Sequence, residues 1–152
     1  MKFKVLICVC LFTFLIFIMQ GCNPAAVVGI GKPITIDGID LSVTSVTRKS
    51  EFSAGGQVSR PSSLSDIILI VKADVSAGNE EVKEKGWKFS VVDENGRIDT
   101  PSITSFMSGT INGEENKNVL ELVFAVDKNS NSFTLMLPEN EVVLDSLLDK
   151  SK

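Results

Sequence analysis

Apolar residues recur at every second position through much of this chain, and that period predicts strands. Ile34 and Ile36 alternate with Pro33, Thr35 and Asp37. Asp37-Gly38 comes next, a dipeptide suited to a type I′ hairpin turn because both of its central residues take φ > 0. Ile39, Leu41 and Val43 resume the alternation on the far side. Val46 then follows Val43 by three, a slip of phase that predicts a β-bulge at Thr44-Ser45.

Residues 66–75 (DIILIVKADV) predict the centre of the core. Ile67, Leu69, Val71, Ala73 and Val75 share one face. Ile68 and Ile70 make the other face apolar too, until Lys72 and Asp74 return it to water. Such a strand, covered on both sides at one end and wet at the other, belongs in the middle of a sandwich. Residues 76–86 are charged and predict a turn region. Trp87, Phe89 and Val91 alternate with Lys88 and Ser90, and Asp93-Glu94-Asn95-Gly96 closes that strand with an Asn-Gly turn. As the first of this in-phase series, Trp87 reads as a core residue ahead of a ligand-stacking one.

Arg97 and Ile98 begin a return. Residues 101–110 follow no clean period, although Ile103 and Phe106 read as buried, and Asn112-Gly113 marks another turn. Residues 119–126 (VLELVFAV) form the second strong strand, with Leu120, Leu122, Phe124 and Val126 in phase. Phe133, Leu135 and Leu137 make a further strand that Pro138 ends. Residues 141–148 suit either a strand or one face of a short helix.

About seven strands, turns rich in Gly and Asn, and no long helix predict an all-β immunoglobulin-like β-sandwich. A small closed barrel is the alternative. The antibody-type cysteine pair is absent, so a true antibody domain is excluded.

Two stretches break the strand pattern. Residues 49–65 (KSEFSAGGQVSRPSSLS) are rich in Ser and Gly and have no sustained period. A stretch of this length without period is a mobile or a functional loop. Phe52, Gln57 and Arg60 are its candidate interaction residues. Against that stands a solvated insertion with Phe52 tucked onto the sheet.

The other is the start of the chain. Lys2 and Lys4 precede fifteen residues, 5–19, that carry no charge. At about 1.5 Å per residue they span roughly 22 Å as a helix, short of the roughly 30 Å hydrocarbon core. A signal-peptide hydrophobic region fits better than a permanent span. Met19-Gln20-Gly21-Cys22 resembles the lipobox of bacterial lipoproteins, with Met19 and Gln20 departing from the usual Leu and Ala or Ser. The resemblance implies cleavage between Gly21 and Cys22 and a diacylglyceryl thioether on Cys22, in preference to ordinary secretion. Stable anchoring takes two or more acyl chains.

The expected organisation is therefore a removed signal at 1–21, a lipidated cysteine and tether at 22–30, the sandwich at 31–148 and a tail at 149–152. Cys8 and Cys10 leave with the signal, so Cys22 is the only thiol that remains, and no internal disulfide can form.

Charge and composition narrow the function. The chain has 15 basic and 19 acidic residues; without Lys2 and Lys4 the balance is 13 − 19 = −6. That excludes a basic face for nucleic acid and a second electrostatic hold on anionic lipid. With no histidine, the commonest general base and metal ligand is missing. Neither a cofactor nor a metal is expected. Asp93-Glu94-Asn95-Gly96 lacks the spacing of a calcium loop and reads as a hairpin turn. No serine lies in a nucleophile elbow, and an enzyme is not expected.

The strand and turn order resembles a family: the telokin-like, immunoglobulin-like domains of unknown function found in bacterial lipoproteins. The similarity runs through residues 31–39 (GKPITIDGI), Leu41 to Val46, a variable loop and the core strand 68–75. It continues in residues 87–93, closed by Asn95-Gly96, and in the late strand 120–126. It covers roughly residues 29–148 and implies a β-sandwich at the cell surface, with no catalytic or binding residue to carry over. The expectation is a lipid-anchored module on the extracytoplasmic face of the cell membrane. It would be non-catalytic and bind a protein or envelope polymer. A structural accessory subunit of an envelope assembly is the alternative, and a solute- or ion-binding protein a more distant one.

Overall fold

The computed structural model describes residues 26–54, 56–111 and 113–145. The signal segment, Gly21, Cys22 and the tail lie outside the described residues, as do residues 146–148 of the expected domain. The described chain forms two five-stranded sheets, a separate two-stranded hairpin and a short helix.

The first sheet contains β1 (Ala26–Gly29), β12 (Asn140–Val143), β11 (Phe133–Leu137), β7 (Ser90–Asp93) and β8 (Ile98–Asp99), in that order. In the second the order is β2 (Ile34–Ile36), β3 (Ile39–Lys49), β6 (Asp66–Val75), β10 (Glu114–Asp127) and β9 (Ile103–Ile111). Each sheet keeps two edges, so the architecture is a sandwich and not a closed barrel.

At the centre β6 and β10 pair antiparallel, from Val119 opposite Asp74 to Asp127 opposite Asp66. The alternation puts Leu69, Val71 and Ala73 on the same inner face as Leu120, Leu122 and Phe124, all at most 2% exposed. Phe133, Leu135 and Val142 close the core from the other sheet. The first hairpin forms as its sequence predicts: Asp37 (φ 52°) and Gly38 (φ 83°) make the turn, and Ile36 faces Ile39. The bulge lies between Val43 and Ser45, where the β3–β6 register shifts.

Twelve strands are present among the described residues, against about seven expected. Most of the additional ones are only two to four residues long, too short for alternation to register. Ala26–Gly29, expected as tether, pairs parallel with β12 and so belongs to the sheet. Residues 101–110, without a clean period, contain most of β9. Residues 141–148 begin as strand β12, and Leu144 is fully buried.

The charged segment 76–86 holds a helix, α1 (Asn79–Lys85), where a turn region was expected. Seven residues with one buried side chain, Val82, cannot show a helical period. Its charges do follow the helix dipole, with Glu80 and Glu81 in the first turn and Lys83 and Lys85 in the last. Gly86, at φ 62°, ends the helix in the left-handed conformation. The strand expected from Trp87 begins only at Ser90. Trp87 packs against the core and meets Phe89 edge to face with centroids 6.3 Å apart. Its Nε1 donates to Asp37 Oδ2 at 3.0 Å, which pins the first hairpin turn to the chain leaving α1.

The opposite end of the sandwich is locked by carboxylates. Asp93 accepts hydrogen bonds from the backbone N–H groups of Asn95 and Arg97, each at 2.9 Å, and from Ser130 Oγ at 2.7 Å. Gly96 (φ 81°) completes a three-residue hairpin loop. Glu94 accepts from the N–H groups of Asn131 and Ser132 at 2.9 and 3.1 Å. Arg97 reaches from that loop to the other sheet, where it grips Asp66 with two bonds of 2.9 and 3.2 Å.

These contacts hold three carboxyls below their usual range. The hydrogen bonds from Arg97 do so for Asp66, the one from Ser130 for Asp93 and those led by Asn131 for Glu94. A carboxylate depressed in the folded state contributes stability that is complete above its unfolded pKa, about 4. That contribution drains away as pH falls through the lower, folded values. Urea midpoints should therefore be level from neutral pH to about 5 and fall steeply below about 4. Ser130→Ala should weaken the neutral-pH midpoint and flatten that acid limb.

Candidate functional site

Rows of side chains cross the outer face of the second sheet, away from the core, and the strand register sets them. Thr47, Ile70, Val123 and Ile103 lie abreast on β3, β6, β10 and β9. The next row is polar: Ser45, Lys72, Glu121 and Ser105. Here Lys72 Nζ meets Glu121 Oε2 at 3.1 Å, and Ser105 Oγ donates to Glu121 Oε1 at 3.3 Å. Glu121 is only 8% exposed, so its charge is held by these two partners rather than by bulk water. Beyond it, Lys117 Nζ pairs with Asp74 Oδ2 at 3.0 Å.

Segment 49–65 roofs the apolar end of this face. The structure gives it order in place of the expected loop without period: β4 (Phe52–Ala54) and β5 (Gln57–Ser59) form a hairpin. Phe52 sits down on Ile68, Ile70 and Val123, with Ile103 at the margin, in a second apolar cluster separate from the main core. Phe52 is tucked onto the sheet, as the solvated-insertion reading of this segment has it, and so does not share a surface with Gln57 and Arg60. Phe52 is buried and serves as the hairpin's foot, while Gln57 and Arg60 are exposed. Arg60 pairs with Glu51 at 3.0 Å, an ion pair in open solvent that contributes little.

Between roof and polar row runs a groove of about 920 Å³. Its floor is Ile70, Lys72 and Glu121, one wall is Phe52 and Ser53 of the hairpin, and Met107 lies at the β9 side. Ser45, Thr47 and Ser105 add hydroxyls, and Lys49 and Glu51 bring one charge of each sign. A groove of this make-up can hold a polar chain by hydroxyl and charge-assisted hydrogen bonds while an apolar strip covers its less polar side. Among the described residues no cluster of three Asp, Glu, His or Cys side chains is placed to hold a metal ion.

Lys72, Glu121, Ser45 and Ser105 were absent from the candidate residues read from the sequence. The one signal for them was that each is a polar residue in the outward phase of a strand. Such positions look like ordinary solvated surface until the hairpin is placed beside them.

No family model and no curated protein matches the chain. It is similar in structure to an uncharacterized β-sandwich protein from Clostridium difficile 630, with a TM-score of 0.55. The match covers 82% of this chain and 95% of that one at 9% identity, a likeness of fold alone.

The groove's shape depends on the foot of its roof. Phe52→Ala removes a nearly buried ring and should cost about 1.5–3 kcal/mol in urea unfolding. It should also make the hairpin the first site of limited proteolysis. Arg60→Ala should leave the urea midpoint within error.

Proposed function

We propose that this chain is a non-catalytic binding module, held on the extracytoplasmic face of the cell membrane by lipid on Cys22. We take it to be one of the telokin-like, immunoglobulin-like lipoprotein domains that its strand and turn order resembles. Its partner is a protein segment or an envelope polymer, not nucleic acid, and no cofactor takes part. The observation that carries this reading is the roofed groove. The hairpin covers the apolar end of the outer face, and the groove beside it is lined by hydroxyls and a partly buried ion pair, groups suited to holding a polar chain.

Chemistry favours binding over catalysis. Glu121 is engaged by Lys72 and Ser105, and no histidine exists to serve as base. The acidic balance of the chain keeps its surface off anionic lipid, so the membrane hold falls to the acyl chains.

Two readouts test the two halves separately. Labelled palmitate should enter the full chain expressed in a lipoprotein-processing bacterium and be lost from Cys22→Ala; equal labelling of both would reject the anchor. Crosslinking in intact cells with a C-terminal tag should recover a discrete partner from the wild type. Thr47→Trp fills the groove without touching the core and should cut that recovery by about tenfold or more. Undiminished recovery from Thr47→Trp would reject the groove as the binding surface.

A further inference from the structure

The amino end of the fold emerges at one particular end of the sandwich. Ala26 pairs with Asn140, which faces Leu137, and β1 then runs to Gly29, opposite Val143. In the same sheet Met136 lies opposite Ser90, where the chain arrives from α1 and Trp87. Ala26 is therefore at the α1 end. The other end carries Phe133 opposite Asp93, the grip of Arg97 on Asp66, and Leu64, whose carbonyl accepts from Lys128 Nζ.

The register also gives the distance between these ends. Gly31, just past β1, donates its N–H to the carbonyl of Val43, which lies opposite Ala73. From Ala73 back to Asp66, β6 covers seven further residues, about 23 Å at the rise of a strand. The four residues of β1 add about 10 Å, so Ala26 and Leu64 lie roughly 30 Å apart along the strands.

The tether is shorter than that. Only residues 23–25 separate Cys22 from Ala26, and the four steps fully extended reach about 14 Å. Leu64 is 95% exposed, and its side chain alone would suit lipid. With Cys22 at the bilayer, however, the tether is too short for the Leu64 end to point down while α1 points away. A flat posture would lay a sheet face on the bilayer, and the acidic balance of the chain opposes that on anionic headgroups.

We propose that the sandwich stands on its α1 end, with α1 and the Asp37-Gly38 turn facing the bilayer and the Leu64 end held outward. This orientation rests on the Cys22 anchor. The groove floor, Ile70 and Lys72, lies on the Asp66 side of Ala73. The groove therefore opens at the flank of the domain, clear of the bilayer, where a segment of another envelope molecule has access to it.

The test uses the full chain matured in a lipoprotein-processing bacterium and purified in mild detergent. It is placed in vesicles of phosphatidylethanolamine and phosphatidylglycerol with a nitroxide on a fraction of the headgroups. Maturation removes Cys8 and Cys10 and makes Cys22 a thioether. A cysteine introduced by Glu81→Cys on α1, or by Leu64→Cys at the other end, is then the one thiol open to a fluorescent label. Both sites are exposed. Far-UV circular dichroism checks folding, and Glu84→Cys or Asn95→Cys replaces a variant that fails. In protein that floats with the vesicles, quenching at position 81 should exceed that at 64 by about threefold or more, given ends roughly 30 Å apart. Equal quenching, or stronger quenching at 64, overturns the orientation and leaves the anchor standing. A wild type that takes up thiol label and does not float rejects the anchor, and the orientation falls with it.

Discussion

Strand β6 is apolar on both faces at one end, and most of the architecture answers to that. Its inner face carries Leu69, Val71 and Ala73 into the main core, where β10 and the facing sheet cover them. On the outer face Ile68 and Ile70, joined by Val123 from β10, would lie open to water if the sandwich were only two layers. Burying a side chain of this size stabilises by about 1.5–3 kcal/mol, so leaving three exposed would be a substantial loss in a small domain. The hairpin of β4 and β5 supplies the third layer, and Phe52 is the residue that attaches it.

That cover is partial, and the groove is the consequence. The hairpin stops where the outward residues of β6 and β10 change from Ile70 and Val123 to Lys72 and Glu121. The groove therefore runs from the hairpin's foot, Phe52, across Ile70 to Lys72 and Glu121. Lys72 neutralises Glu121 there, and Ser105 supplies a further hydrogen bond, so the carboxylate is tolerated at 8% exposure. The same pairwise register that builds a stable sheet has placed complementary groups side by side on a surface that is partly screened from water.

The ends of the sandwich are held by different means. At one, Trp87 and Lys85 tie the chain around α1 to Asp37 at the first hairpin turn. At the other, Arg97 crosses from the first sheet to Asp66 on the second, and Asp93 and Glu94 occupy the N–H groups of tight turns. These polar locks tie the two ends of the sandwich without a disulfide, since the described residues contain no cysteine. The sides are unequal as well: three edges are short, and β9 is long and neutral.

What the sequence determined by itself was whatever depends on residues close together along the chain. The Asp37-Gly38 turn, the bulge after Val43, the turn at Gly96 and the alternating cores of β6, β10 and β11 were all legible. Each is decided by local φ preferences or by a period of two sustained over several residues. The two-faced apolar character of β6 also announced a sandwich. Short strands and α1 were not legible, because two to seven residues cannot establish a period against the noise of composition. Nor was the site. Phe52, Gln57 and Arg60 share one segment, but the hairpin's two-sided geometry sends Phe52 to the sheet and leaves the others in solvent. Lys72, Glu121 and Ser105 are up to 49 positions apart in sequence, and only antiparallel pairing sets them in one row. Tertiary structure alone decided which outward residues lie under a roof and which edge stays open. Both depend on where distant strands come to rest, and no local preference encodes that.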